Sequence, residues 1–292
     1  MQLPSILYKY TTASTAFLVL ENSKLRWSSP LLFNDIAEFQ RMPRFHPRVA
    51  DSYKLLTASI VSAVFDGVEL DEVRLTHQAA LLLNLVKLMA SEGNITREDI
   101  LKGLTGEVSD ADDKIEVSLR DYVDKLGLST ARVLCVTSEN DNNAMWGNYA
   151  ENHAGCVFGF RHIAKYDTPL QEAARVSYSA ERPIVGSGLD FLLYGNTPEL
   201  RKSTLHAIFY TKDQSWAYER EWRVITWRPN EAEKQVSDFL FFSEELESVT
   251  LGARATVKTE LRVRELLAGK YPDASLYRME LKGGKLVPAL LS

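Results

Sequence analysis

Two spacings of apolar residues alternate along the chain and predict its elements. Near the N-terminus, ILYKY and KLRWSS have the alternation of β-strands, and the residues from Ser14 to Asn22 between them have helical spacing. This order predicts a strand–helix–strand unit. From about Ala50 to Gly127 the pattern turns helical, as in SYKLLTASIVSAVF and EVRLTHQAALLLNLVKLMASEG, and no repeat period is visible.

The second half of the chain mixes strand-like and helical segments. RVLCVTS, GCVFGF, EREWRVITW, DFLFFS, SVTLG and ASLYRMEL predict strands, whereas PELRKSTLHAIFY and TVKTELRVRELLAGKY predict helices. Such a mixture favours an α+β fold. We predict a mixed α+β core at 1–49 and 128–292 and an inserted helical subdomain at 50–127. We expect the insertion to be a cap or a partner-binding subdomain that contributes few pocket residues.

Composition narrows the function classes. The chain has 292 residues, of which 45% are hydrophobic and 25% are charged, as in soluble globular proteins. Its net charge of −5 argues against binding of nucleic acid through a strong basic field. The N-terminus lacks the basic and long apolar regions of a secretory signal, and no apolar run is long enough to span a bilayer. We therefore expect a cytoplasmic protein without membrane contact.

The common signatures of nucleotide and metal enzymes do not occur in the sequence. There is no Walker loop, no G-x-G-x-x-G after a strand, no HExxH, no G-x-S-x-G and no paired CxxC. Cys135 and Cys156 lie in apolar segments without partners at metal-ligand spacing, so we predict buried thiols and no metal site.

The segment WAYEREWRVI combines charged and aromatic residues. If it is a β-strand, Glu219, Glu221 and Arg223 share one face, beside Trp216 and Tyr218. This row is either an ion-pair ladder on an exposed sheet face or a site. Carboxylates beside an arginine and aromatic rings can hold a sugar hydroxyl or stabilise a developing cation.

The segment NNAMWGNYAENHAG predicts a short helix after a buried strand. Helical spacing puts Trp146, Tyr149 and His153 on one face. One interpretation is a core-facing stripe whose histidine bonds to a backbone group. The alternative is a site, because the ends of strands carry sites more often than their middles.

Two N-terminal segments add polar candidates. In the first strand, alternation puts Tyr8 and Tyr10 on one face and Lys9 on the other, a pattern that packing alone also explains. In LLFNDIAEF, either Asn34 or Asp35 can cap a short helix.

Five segments together resemble the bacterial family catalogued as domain of unknown function 2971. They are LYKY, LRWSSPLLFNDIAEF, CVTSENDNNAMWGNYAENHAGCVFGF, WAYEREWRVI and VTLGAR, in this order, and they cover the chain apart from its helical middle. The usual FNDPFE of that family is FNDIAEF here, where Ile36 replaces the proline. The turn after Asp35 is therefore expected to differ. The family name implies no activity.

The same features also resemble the split-sheet ADP-ribosyltransferase fold. Its members bind NAD in a cleft between two small sheets and use a late-strand glutamate in transfer. This resemblance implies a mixed split β-sheet core, with Glu221 as the catalytic residue and Glu219 assisting the acceptor. It implies that the contacts to NAD, the substrate, come from Tyr8, Lys9, Tyr10, Ser28, Asn34, Asp35, Trp146, Tyr149, His153, Trp216, Tyr218 and Arg223, with Trp146 or Tyr149 stacking on nicotinamide.

Three functions follow as alternatives. The first is an NAD-dependent ADP-ribosyltransferase-like effector, a toxin or an antiphage protein, that modifies a protein or nucleic-acid acceptor. The second is a non-catalytic module that binds a small-molecule nucleotide or a partner. The third is an RNA-modifying enzyme of phosphate transfer, which needs a basic groove that the composition does not indicate.

Overall fold

The computed structural model describes residues 2–93, 96–104 and 109–291. They divide into two compact units. The first unit comprises Met1–Glu38, Leu126–Ala180 and Lys212–Ser292, and the second comprises Phe39–Lys125 and Glu181–Thr211. The predicted domain boundaries need correction. The segments 39–49 and 181–211 were predicted to belong to the α+β core, but they lie in the second unit. They belong to the second unit because their strands pair with each other and the helix at Gly188–Tyr194 packs on the helices of 50–127.

The elements of the described residues are as follows. The strands are β1 (Ile6–Thr11), β2 (Lys24–Ser28), β3 (Arg44–Phe45), β4 (Ala131–Thr137), β5 (Cys156–Arg161), β6 (Ala174–Arg175), β7 (Ser177–Ser179), β8 (Ile184–Gly186), β9 (Thr211–Asp213), β10 (Glu221–Trp227), β11 (Val236–Leu240), β12 (Leu246–Leu251), β13 (Ser275–Lys282) and β14 (Lys285–Leu290). The helices are α1 (Ala13–Asn22), α2 (Tyr53–Phe65), α3 (His77–Ser91), α4 (Arg97–Gly103), α5 (Ala111–Leu126), α6 (Asn143–Tyr149), α7 (Gly188–Tyr194), α8 (Pro198–Phe209) and α9 (Val257–Lys270). This mixture confirms the predicted α+β class.

One mixed sheet organises the first unit. Its strand order is β11-β2-β4-β1-β5-β12-β13-β14, and β10 pairs with both β4 and β6. The predicted strand–helix–strand unit is present as β1, α1 and β2, and the Thr12 hydroxyl caps α1 by accepting from the amide of Thr15 at 3.2 Å. The two strands are not neighbours, because β4 lies between them and runs antiparallel to both.

The two faces of this sheet have different chemistry. One face carries the main core, which includes Leu7, Leu25, Trp27, Leu134, Val136, Trp222 and Val224 together with residues of α1 and α9. The register pairs Thr137 with both Tyr8 and Glu221, and Cys135 with Arg223. Paired residues of antiparallel strands lie on the same face. The opposite face therefore carries a tyrosine, a thiol, a carboxylate and a guanidinium.

The second unit is a helical bundle with a short parallel pair, β3 and β8. Its core contains Ile60, Val61, Val86 and Ile100, which occupy the apolar positions of α2, α3 and α4. Thr96 forms a capping box with Asp99 at the start of α4. The helices expected between residues 50 and 127 are therefore present as α2 to α5.

Several local predictions are wrong. The strand predicted to include Glu219 begins only at Glu221, because Gln214–Glu219 is a 3₁₀ turn and Arg220 has a left-handed backbone with φ 44°. The helix predicted to reach His153 ends at Tyr149. The final strand, β14, was not predicted.

Among the described residues, no helix combines the length and apolar character needed to span a bilayer.

Candidate functional site

A polar pocket of about 320 Å³ lies within the first unit, where two strands separate along the edge of β4. β4 pairs with β2 at Val133 and with β1 at Thr137, so Cys135 lies between the two partners. The carbonyl of Cys135 accepts a hydrogen bond from the ammonium of Lys9 at 2.8 Å. Lys9 thereby satisfies a backbone group in the gap between the strands.

Five charged side chains form a buried cluster at this pocket, and none is more than 7% exposed. Arg223 donates to both oxygens of Glu221, at 2.9 and 2.8 Å, and to Glu38. Lys212 donates to Glu219 at 2.7 Å and to Glu221 at 3.4 Å, and its ammonium lies 3.6 Å from Glu38. Every carboxylate therefore contacts at least one cation, as buried charges require.

The cluster separates the pKa values of two neighbouring carboxyls. Burial opposes ionisation of Glu221, but the charges of Arg223 and Lys212 outweigh it and lower the pKa of that carboxyl. Burial raises the pKa of Glu38, and the charge of Glu221 adds to this rise against the opposing effect of Arg223. The pKa of Lys212 is raised because the three carboxylates outweigh its burial. Glu221 is therefore the more strongly ionised carboxyl of this pair.

Three tyrosines surround the cluster and the pocket as hydrogen-bonding groups. The Tyr149 hydroxyl donates to Glu219 at 2.5 Å, and the Tyr178 hydroxyl accepts from the amide of Glu221 at 2.8 Å. Burial raises the pKa of Tyr10, Tyr149 and Tyr178, and the bond to Glu219 adds to this effect at Tyr149. All three are therefore neutral phenols at pH 7.

Two aromatic rings lie against the cations. The Lys212 ammonium lies 4.7 Å from the ring centre of Trp216, and the Arg223 guanidinium carbon lies 6.0 Å from that of Phe33. Such contacts stabilise buried cations without adding negative charge. Trp216 therefore supports the cluster through Lys212.

Most of the predicted site residues meet at this pocket. Those that line it are Tyr8, Lys9, Tyr10, Ser28, Asn34, Tyr149, Glu219 and Glu221. Arg223 is fully buried and holds Glu221 and Glu38. None of the described residues between 50 and 127 lines the pocket. The segments expected to converge therefore do converge, although Glu219 comes from a 3₁₀ turn and not from a strand.

Two aromatic residues of the α6 segment have structural positions instead. Trp146 is fully buried, donates from its indole nitrogen to the carbonyl of Asn140 at 2.7 Å and packs edge-on against Tyr10. Its ring therefore has no exposed face for a nicotinamide. His153 follows the end of the helix with φ 70° and stacks on Trp146. Trp146 therefore fits the core-facing interpretation of the stripe, whereas Tyr149 of the same stripe lines the pocket.

Asp35 and Tyr218 also lie outside the pocket lining. The carboxylate of Asp35 accepts from the amide of Ala37 at 2.9 Å, so it shapes the turn in which Ile36 stands exposed. The carbonyl of Tyr218 accepts from the side chain of Asn142 at 2.7 Å, which ties the 3₁₀ turn to α6.

The structure adds site residues that the sequence did not indicate, namely Arg26, Phe33, Glu38, Cys135 and Lys212. Cys156 is buried as predicted, whereas Cys135 is only half-buried and lines the pocket. The alternation of β4 would have placed Cys135 beside Arg223, had the pairing of β4 with β10 been known. Glu38 and Lys212 are placed by tertiary packing and carry no local signal.

Residues 145–224 match the model of a family described as "Protein of unknown function (DUF2971)". This segment belongs to the DUF2971 family. It includes Tyr149, Lys212, Glu219, Glu221 and Arg223, and thus much of the buried cluster. No curated protein and no solved structure matches the chain.

The pocket lining contains both acidic and basic side chains. Its carboxylates accept hydrogen bonds, and Lys9 and Arg26, the latter paired with Asp238 at 3.1 Å, line it as donors that suit phosphate. Its volume lies at the lower limit of small-molecule sites, so it suits part of a nucleotide. No set of three or more His, Cys, Asp or Glu side chains in the described ranges is placed to hold a metal ion.

Proposed function

We propose that the protein is an NAD-consuming enzyme of the ADP-ribosyltransferase-like type and that the polar pocket is its active site. The observation that carries this proposal is the position of Glu219 and Glu221, two buried carboxylates in one pocket that Tyr8 and Tyr10 also line. The separation of β1 and β2 along β4, with the pocket between them, supports the split-sheet analogy.

The reaction breaks the bond between the ribose C1′ and the nicotinamide nitrogen. The bonding electron pair leaves with nicotinamide, and the ribose becomes an oxocarbenium-like cation. The ionised Glu221 stabilises this cation and holds a ribose hydroxyl. Water or an acceptor group then forms a new bond to C1′ and loses its proton, and Glu219 positions that nucleophile. Lys9 and Arg26 neutralise the pyrophosphate.

An enzyme that consumes NAD, or that ADP-ribosylates a protein or nucleic-acid acceptor, would fit the role of a bacterial toxin or antiphage effector. This role follows from the fold analogy alone.

A non-catalytic nucleotide-binding module is the second candidate. One observation favours it: Arg223 donates to both oxygens of Glu221, which reduces the capacity of that carboxylate to stabilise another cation. The enzyme and the binding module would both bind NAD, but only the enzyme would consume it.

The test combines ligand binding with turnover. NAD, nicotinamide and ADP-ribose are added to the purified protein, and the melting temperature and NAD consumption are measured. The variants are Glu221→Gln and Glu219→Gln, and the matched control is Glu265→Gln, the same change at an exposed ion pair of α9. We expect NAD to raise the melting temperature of the unmodified protein. Glu221→Gln should reduce turnover by roughly 10²–10³-fold, the effect of losing one preorganised electrostatic group.

Each outcome selects one of the candidates. If NAD raises the melting temperature and is not consumed, the binding module is correct. If NAD has no effect on either measurement, both nucleotide proposals fail. Consumption of NAD that survives Glu221→Gln removes Glu221 from the catalytic role.

A further inference from the structure

A larger cavity, of about 630 Å³, lies within the second unit. Two helices line it in the same way. Each contributes residues at positions i, i+1, i+4, i+5 and i+8, which run from Lys114 to Tyr122 on α5 and from Leu200 to Ile208 on α8. This spacing marks a single helical face. Phe45, Val185 and Phe191 complete the apolar part of the lining.

The cavity is partly open to solvent, because Lys114, Ser118 and Tyr122 of its lining are exposed, but most of its lining residues are apolar. An apolar guest that covers this surface removes it from water, which favours binding. The volume lies in the range of small-molecule sites. The cavity therefore suits an apolar ligand.

The charges at the cavity indicate the polar end of that ligand. Lys114 and Arg201 line it, and no Asp or Glu does. Lys114 is already paired with Asp110 at 2.8 Å. Arg201 is exposed and forms no ion pair within 4 Å among the described residues; the lowered pKa of Glu199 arises first from hydrogen bonds, and the charge of Arg201 contributes only a smaller part. An anionic group beside Arg201 would gain a charge-assisted hydrogen bond.

We propose that this cavity binds a single-chain amphiphile with an anionic head, such as a fatty carboxylate. The hydrocarbon chain lies between α5 and α8, and the carboxylate accepts hydrogen bonds from Arg201. The lining of this cavity shares no residue with that of the polar pocket, so the proposal does not rest on the proposed NAD chemistry.

The test compares ligands that share a chain and differ in head charge. Dodecanoate and dodecyltrimethylammonium are titrated as monomers into the full-length protein, and binding is measured by calorimetry and by the shift in melting temperature. Dodecanoate should bind more tightly than the cationic amphiphile. Leu119→Trp and Leu205→Trp fill the cavity from its two walls, and Val117→Trp, on an exposed part of α5 outside the lining, is the control.

A second pair of variants tests the head group. Arg201→Gln should weaken dodecanoate binding by about tenfold or more, the scale of a lost hydrogen bond to a charged group. Lys202→Gln, the same loss of charge at the next position, lies outside the lining and should leave binding unchanged. Equal affinity for the two amphiphiles overturns the anionic assignment. Absence of dodecanoate binding, or binding that persists in both folded tryptophan variants, overturns the site.

Discussion

Replacing Arg223 with methionine tests whether the buried cluster behaves as one electrostatic unit. The guanidinium is fully buried and holds Glu221 and Glu38. Methionine fills much of the same space without charge. The substitution leaves three carboxylates with Lys212 as the one remaining cation of the cluster described above, so at least one carboxylate becomes an uncompensated buried charge.

The expected loss of stability is large. Removing one partner of a buried ion pair costs about 3–5 kcal/mol, because the remaining charge keeps its desolvation penalty. Whole domains have unfolding free energies of about 5–15 kcal/mol, so the variant should fold with a narrow margin. At about 2–4 °C per kcal/mol for a domain of 150–250 residues, the melting temperature should fall by roughly 6–20 °C.

Urea unfolding followed by circular dichroism at pH 7 measures this loss. The control is Arg161→Met, which removes a partly exposed ion pair with Glu247 and should cost less than about 1 kcal/mol. A second variant, Arg223→Met with Glu221→Gln, removes one of the stranded charges. It should be more stable than Arg223→Met alone, although it contains one more substitution.

Two results would refute this reasoning. If Arg223→Met costs no more than the Arg161 control, the cluster does not depend on its guanidinium. If Glu221→Gln destabilises the Arg223→Met background as much as it destabilises the unmodified protein, the two residues are not coupled.

Three further predictions concern backbone packing, helix capping and pH. Gly252→Ala should destabilise the protein by about 1–3 kcal/mol or more, because the added carbon would lie 2.0 Å from a backbone carbonyl oxygen. Gly269→Ala has open space in α9 and should increase the unfolding free energy by about 0.5–1 kcal/mol. Thermal melts compare the two variants. Thr256→Ala should cost about 1 kcal/mol in urea unfolding, because its hydroxyl caps α9, and Thr256→Ser should restore most of it. The pKa of Glu221 is lowered from 4.5 to about 2 because the nearby cations outweigh burial, so the stabilisation from its charge is complete above about pH 4.5 and is lost as the pH falls toward 2. The unmodified protein should therefore lose its advantage in unfolding free energy over Glu221→Gln across this interval. A difference that stays constant with pH would contradict the assignment.

Local patterns predicted most of the elements, because the signals that define them are local. Alternation places β1 and β2, and the Thr12 cap fixes the start of α1 between them. The sheet order was not predictable in this way, since β4 enters between β1 and β2 from a distant part of the chain. The role of 181–211 was missed for the same reason, because β8 pairs with β3 in the second unit.

The candidate site was partly predictable. Alternation alone puts Tyr8 and Tyr10 on one face of their strand, and Glu221 and Arg223 on one face of theirs. The pairing of Thr137 with both Tyr8 and Glu221 then places these residues on the same face of the sheet. Glu219 reaches the cluster by a different geometry from the one predicted. Its 3₁₀ turn ends at the left-handed Arg220, and this conformation brings the carboxylate to Lys212. The two-residue spacing of Glu219 and Glu221 predicted a continuous strand and gave no sign of that turn.

Because the cluster is buried, Glu219, Glu221 and Arg223 affect stability more than an exposed row of charges would. An exposed ladder would have been a minor contribution to stability, since exposed ion pairs contribute about 0–1 kcal/mol. The same residues, when buried, must balance their charges, and Glu38, Glu219 and Glu221 outnumber Lys212 and Arg223. The raised pKa of Glu38 identifies it as the carboxyl of that pair that takes up a proton more readily, which leaves Glu221 ionised. Neighbouring carboxyls whose pKa values are pushed apart are typical of sites that separate the roles of acid and charged carboxylate. Arg223 and Lys212 therefore keep the charge on Glu221, and Glu38, which alternation along the late strand did not indicate, is the carboxyl of the pair that takes up a proton first as the pH falls.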